Sequence, residues 1–199
     1  MENSKGQLTV EEIRHAFQIF KYEVWLLATS TTMRDGVPSV CYAISKDSNA
    51  PVEDVMNSWG NWMNEISSKI LLLHAGNLNW FFSKVSKAVR VGNQIYAIDF
   101  DFFSDPENIL GESNQRWITD LANPMSLERK VADRAQIEAF QYIQFKALLP
   151  LLIKSHKFLI DAREQMPDKE MHDEEFCHMG TDAVVDIVSM AIVRRMHFS

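Results

Sequence analysis

The sequence predicts an all-α fold, a single helical bundle spanning residues 1–199, on the strength of three observations. Apolar residues recur at intervals of three and four over long stretches, which is the period of an amphipathic helix. Seven glycines and six prolines are too few for the many tight turns of a sandwich or barrel. A hydrophobic content of 46% in 199 residues is sufficient for one substantial core.

The first helix is predicted to begin at a capping box formed by Thr9 and Glu12. Its core-facing stripe consists of apolar residues at helical spacing, namely Val10, Ile13, Phe17, Phe20, Val24 and Leu27. The segment RDGVP, Arg34 to Pro38, is predicted to end this helix, because glycine and proline are poor helix formers. The short segment from Ser39 to Ser45 is compatible with a strand, a helical turn or a loop, and residues 47–51 are turn-like.

A second helical region is predicted from about Val52 to about Ala88, with a bend at Gly60. Between Leu71 and Phe82 its apolar residues surround the helix axis, a pattern typical of the central helix of a domain. The aromatic and acidic segment from Gln94 to Asn108 is predicted to be extended or irregular, with its phenylalanines anchored on the core.

Further helices are predicted towards the C-terminus. Two short ones lie near residues 112–121 and 126–135, and an apolar stripe between Ile137 and Leu152 indicates a third, with a kink or restart near Pro150. A final helix is predicted over about residues 182–196. We see no repeat and no linker that would divide the chain into domains.

Charge and composition exclude several classes of function. A net charge of -7 disfavours general binding of DNA or RNA, because affinity for phosphate comes largely from Lys and Arg. A small basic strip of Lys84, Lys87 and Arg90 is a candidate RNA contact, although a solvated helix end is the commoner explanation. Two distant cysteines, no apolar leader and no apolar run near the roughly 20 residues of a membrane span predict a cytoplasmic protein.

His74 and Asn77 are the main candidate functional residues, because they interrupt one of the most apolar stretches, LLLHAGNLNWFF. Being three residues apart, their side chains are neighbours on one helix face. If both are buried, each needs a hydrogen-bond partner. We expect a partner in the segment from Ile95 to Asp101 or around Asp133 and Arg134. The pair then either ties the helix to another segment or lines a polar pocket.

Metal sites are weighed at three places, and we expect no bound metal or cofactor. Glu-x-x-His occurs at Glu12 with His15 and at Glu175 with His178, a spacing found in di-iron bundles. The apolar stripe of the first helix lies away from both Glu12 and His15, so these two side chains are predicted to face solvent. The segment HDEEFCH, which contains Glu175 and His178, reads as a charged surface turn, and DFDFFSD lacks the glycine of a calcium loop.

The stretch LLLHAGNLNWFF followed by IYAIDF resembles a pattern of uncharacterised bacterial all-helical proteins, with a His-Ala-x-Asn-Leu helix before a Val/Ile-x-Ala-x-Asp-Phe segment. RKVADR, Arg129 to Arg134, corresponds to a later segment of that family, but Asp133 stands where the family has histidine. The helical plan is also similar to the HEPN superfamily. Many HEPN proteins are ribonucleases with an Arg-x(4–6)-His motif, which none of the six histidines here completes.

The resemblance implies a bacterial, HEPN-like fold in a toxin–antitoxin or phage-defence setting. Because the nuclease motif is missing, the leading hypothesis is a cytoplasmic interaction protein without catalysis, bound to a protein partner or to further copies of itself. The first alternative is a degenerate or unusual ribonuclease with His74, Asn77 and Arg134 as candidate catalytic residues. The second alternative is a carboxylate–histidine metal protein, for which Glu175 and His178 are the candidate ligands.

Overall fold

The computed structural model describes residues 9–82, 95–103, 148–166 and 179–197. These residues are mostly helical and contain no strand, as the all-α prediction requires. The elements in chain order are α1 (Val10–Ser48), α2 (Val52–Val55), a π-helix (Met56–Gly60), α3 (Asn61–Phe81), a 3-10 helix (Ala97–Asp99), α4 (Leu148–Gln165) and α5 (Thr181–His197). The short helices predicted near residues 112–121 and 126–135 lie outside the described residues.

The start of α1 is the predicted capping box. The backbone N–H of Glu12 donates to the Thr9 hydroxyl at 3.2 Å, and the Thr9 N–H donates to the Glu12 carboxylate at 2.8 Å. These bonds satisfy backbone and side-chain groups that the first helical turn would otherwise leave without partners. The helix ends at Ser48, where Asn49 adopts the left-handed conformation at φ 55°, as the predicted turn requires.

The predicted break at RDGVP is wrong, because α1 continues through Pro38. The segment from Ser39 to Ser45, whose conformation the sequence left open, is therefore part of the same helix. Here the packing of apolar side chains outweighs the helix-breaking tendency of Gly36 and Pro38. Val37 and Cys41 are fully buried one turn apart and form a small apolar cluster with Val55 of α2, which holds the second half of α1 in helical form.

The main core is built from one face of each long helix together with the aromatic segment 95–103. Phe158 of α4 lies at its centre, and its ring is within 6.5 Å of those of Phe17, Phe20, Phe81, Phe82, Phe100, Phe102 and Phe103. The phenylalanines of the segment 95–103 thus anchor it on the core, as predicted. No residue of the segment from Leu71 to Phe82 is exposed.

This burial of residues 71–82 agrees with the predicted central place of that helix. Of the described elements, α1 has the widest range of neighbours, because it packs against α2, the π-helix, α3, α4 and α5, whereas α3 packs chiefly against α1. Its length explains this range, since 39 residues let one helix run past all the other described helices. Among the described helices, none has both the length and the apolar character that crossing a bilayer requires.

Candidate functional site

The candidate site lies where α1 and α3 pack antiparallel. Glu23 on α1 meets His74 and Asn77 on α3, while Arg34, further along α1, meets Ser68, which precedes them on α3. His74 and Asn77 are nearly one helical turn apart, so both side chains reach the same point on the facing helix. The spacing that singled out these two residues in the sequence therefore brings them to one carboxylate.

One oxygen of Glu23 serves both residues. The Asn77 amide donates to Glu23 Oε2 at 3.0 Å, and His74 Nδ1 lies 2.5 Å from the same oxygen. Glu23 and His74 are each only 6% exposed. A carboxylate in such a place would be costly without donors, and bonds to a charged acceptor are the stronger class of protein hydrogen bond. We call this group the Glu23–His74–Asn77 cluster.

The expected burial of His74 and the hydrogen bonding of both residues are confirmed, while Asn77 is half-buried. The segment from Ile95 to Asp101 does not supply the partner that was expected there. The acceptor is Glu23 on the first helix, whereas Asp99 in the expected segment caps its own turn by accepting from the Tyr96 N–H at 2.8 Å. Asp133 and Arg134, the other expected partners, lie outside the described residues.

Sequence reasoning missed Glu23 although a signal was present. Glu23 is spaced three and four residues from Phe20 and Leu27, which belong to the core-facing stripe of the first helix. A carboxylate at the edge of an apolar stripe needs an interior partner, just as a histidine in an apolar helix does. These two anomalies mark Glu23 and His74 as candidates for a buried polar contact, although they do not show that the two residues meet.

The cluster has a defined chemical capacity. With Nδ1 bound to a carboxylate, the His74 ring is fixed in orientation and Nε2 is the nitrogen through which it could act on a ligand. The same geometry serves equally well as a tie between two helices, because it satisfies polar groups within the core.

The other sequence candidates are distributed as follows. Glu12 is engaged in the capping box, and His15 is exposed, as predicted from the direction of the stripe. The remaining candidates lie outside the described residues: Lys84, Lys87, Arg90, Arg134, Glu175 and His178. Within the described ranges, no three side chains of the metal-binding types His, Cys, Asp and Glu come together.

A second polar cluster joins α1 to α3 and to α5. Arg195 of α5 donates to Asp35 at 2.7 Å, and Arg34 donates to the Ser68 hydroxyl of α3 at 2.6 Å. Burial raises the pKa of the Asp35 carboxyl in spite of the nearby arginines. Burial, together with the charge of Arg195, lowers the pKa of Arg34 to about 10. These shifts mark charges that are partly removed from water and held by one another.

A third polar contact joins α4 to α5. His156 Nε2 lies 2.8 Å from the Ser189 hydroxyl oxygen, and this hydroxyl donates to the carbonyl of Val185 at 2.8 Å. Because the hydroxyl proton is used within its own helix, His156 acts as the donor to Ser189. Burial lowers the pKa of His156. The pair therefore ties two helices together, and Ser189 is not activated as a nucleophile.

No protein-family model, no curated protein and no solved structure matches this chain.

Proposed function

We propose that this chain is a helical interaction protein that acts by protein–protein association and not by catalysis. The Glu23–His74–Asn77 cluster carries the proposal. It accounts for the two most conspicuous polar residues of the sequence as an internal link between α1 and α3, with both hydrogen bonds directed to a buried carboxylate. Because these side chains satisfy one another's hydrogen bonds inside the protein, no substrate is needed to explain why they are there.

The biological role in which this association takes place is part of the same proposal. The resemblance of the LLLHAGNLNWFF and IYAIDF stretches to bacterial all-helical proteins, and of the helical plan to HEPN proteins, supports a role in a toxin–antitoxin or phage-defence system. A cytoplasmic, non-catalytic member of such a system works by holding a partner. The acidic composition, with a net charge of -7, favours a protein partner over a nucleic acid.

A ribonuclease remains the second candidate, because the geometry of His74 also favours it. A carboxylate bound at Nδ1 is the arrangement that prepares the other ring nitrogen to act as a general base. In this alternative Asn77 positions the carboxylate, and Arg134 supplies positive charge to the phosphate.

Two measurements on the same variants decide between these functions. His74→Ala and Asn77→Ala should each lower the free energy of unfolding by about 1–3 kcal/mol, since each removes one hydrogen-bond donor from the buried Glu23 carboxylate. Purified wild-type protein should not cleave single-stranded or structured RNA. Cleavage by the wild type that is lost in His74→Ala, with an unchanged melting temperature, would replace the interaction protein with the ribonuclease. Asn61→Ala, at an exposed position on the same helix, is the control for both measurements.

A further inference from the structure

The surface of α1 between Ile19 and Ile44 has an unusual distribution of charge. Four charged residues occur in this stretch, and none of them is exposed: Lys21 and Glu23 are buried, and Arg34 and Asp35 are half-buried. The exposed positions are instead uncharged, and they include Ile19, Met33, Val40, Tyr42 and Ile44. Surface helices normally show the opposite pattern, with charges outward. On α4, for example, the exposed positions include Lys157, Arg163 and Glu164.

The outward residues of α1 also follow a heptad spacing. Ile19, Leu26, Met33 and Val40 are each seven residues apart, and a second row at Tyr22, Thr29, Gly36 and Ala43 lies between them at alternating steps of three and four. This is the spacing of the two core positions of a coiled coil, sustained over more than three heptads. We call these eight residues the α1 seam.

The α1 seam is distinct from the faces that α1 uses inside the molecule except at Gly36, where a side-chain carbon would lie 3.7 Å from the guanidinium of Arg194 on α5. Glu23 and Arg34 are directed to α3, while Lys21 and Asp35 are directed to the α5 side through the Met179 carbonyl and Arg195. The first row of the seam remains accessible. Ile19 and Met33 are 39% exposed, Val40 is 43% exposed, and Leu26 is half-buried. From Ile19 to Ala43 the seam is about 36 Å long, at about 1.5 Å per residue.

We infer that the α1 seam is a self-association surface, which pairs antiparallel with the α1 seam of a second copy of the chain. This inference names the partner in the proposed association and rests on that function. A continuous apolar row with heptad spacing fits another helix with the same spacing, and a second copy supplies it through an isologous two-fold contact. Thr29 and Ala43 are small, which lets two helices approach closely at these positions.

Charge sets the antiparallel direction. The first row of the seam continues to Asp47 at its C-terminal end, and the second row continues to His15 at its N-terminal end; both residues are exposed. Parallel copies would bring the two Asp47 carboxylates together. Antiparallel copies bring Asp47 of each chain towards the His15 end of the other, which removes that repulsion.

The test measures the molar mass of the full chain in solution by analytical ultracentrifugation over a concentration series. We expect a wild-type dimer at micromolar concentration. Val40→Glu and Met33→Glu should each weaken dimerisation by about tenfold or more, because a carboxylate would be buried in the apolar seam. Ile153→Glu on α4 is the matched control, since Ile153 is 40% exposed, and it should leave the dimer intact. Circular dichroism confirms that each variant keeps its helical content.

The direction is tested by Asp47→Asn, which removes the charge and keeps the size of the side chain. Antiparallel pairing predicts a weaker dimer, because the carboxylate near His15 of the other copy is lost. A stronger dimer would show parallel copies relieved of the repulsion between their two carboxylates, and would overturn the antiparallel assignment. Two results would overturn the assignment of the α1 seam as a self-association surface. One is a wild-type monomer throughout the series, and the other is a dimer that Ile153→Glu weakens as much as Val40→Glu does. Such a result leaves the proposed association with a different protein standing, whereas RNA cleavage dependent on His74 would overturn that function itself.

Discussion

At the scale of single residues, Glu23 is the side chain on which the candidate site depends, because it accepts from both His74 and Asn77. We expect Glu23→Ala to lower the free energy of unfolding by roughly 1.5–3 kcal/mol, since bonds to a charged acceptor are lost and two donors remain within the protein. Urea denaturation measures the effect. Glu65→Ala, which removes an exposed ion pair with Lys69, should cost at most about 1 kcal/mol. Equal losses in the two variants would contradict the importance of the buried carboxylate.

His156 gives a residue-level prediction about pH. Burial lowers its pKa below the ordinary value of 6.5. In the interval between the folded pKa and 6.5, the unfolded chain binds a proton that the native chain does not, so stability falls as the pH drops through that interval. Above 6.5 the contribution of His156 is fully retained. We expect acidification from about pH 7 to about pH 5 to destabilise the wild type more than His156→Gln, as measured by chemical denaturation. Identical slopes for the two proteins would refute this.

At the scale of elements, the limits of sequence reasoning are visible in α1 and α3. The capping box at Thr9, the final helix and the burial of His74 follow from short-range patterns, and the structure confirms them. The continuity of α1 through Pro38 could not be predicted in this way, because it depends on the packing of Val37 and Cys41 against α2. The partner of His74 is 51 residues distant in sequence, and helical periodicity contains no information about pairing between helices.

Pro38 itself supports a prediction about α1. Proline removes one N–H from the helix and crowds the preceding turn, which costs about 3 kcal/mol in an ordinary helix interior. Pro38 is exposed, so its replacement leaves the core untouched. We therefore expect Pro38→Ala to raise the free energy of unfolding by up to about 3 kcal/mol. Thermal denaturation followed by circular dichroism measures the change, and a lower melting temperature would show that the proline is needed for the shape of α1.

At the scale of the whole molecule, the Asp35–Arg195 pair joins the C-terminal helix to α1. Breaking a mostly buried pair from one side leaves an uncompensated charge. We expect Arg195→Met to lower the free energy of unfolding by about 3–5 kcal/mol, and the double variant Asp35→Asn/Arg195→Met to recover part of that loss. Arg163→Met, which removes the exposed pair with Asp182, should cost at most about 1 kcal/mol. A double variant less stable than Arg195→Met would contradict the assignment.

The pH dependence of the same variant has a definite sign. Because burial raises the pKa of Asp35, the native state holds the proton of this carboxyl more firmly than the unfolded state does. When the pH falls towards the ordinary value of 3.8, the Asp35 carboxyl takes up a proton and the native state no longer bears the cost of a buried negative charge. When the pH rises, the carboxyl ionises and that cost returns. In Arg195→Met the attraction of the guanidinium is gone, so the deficit in stability relative to the wild type should shrink on acidification. A deficit that grows at low pH would show the opposite sign.

The π-helix at Met56–Gly60 determines which changes in chain length this fold can absorb. A π-turn contains one residue more than the α-helical turn it replaces. Deleting the exposed Asn57 would convert that turn to α-helix and leave α3 in place, with His74 still opposite Glu23. The same deletion within α3, between Asn61 and Leu73, would instead rotate His74 by about 100° and shift it by about 1.5 Å, away from its carboxylate. Chains of this fold that differ by one residue should therefore carry the difference at the π-turn.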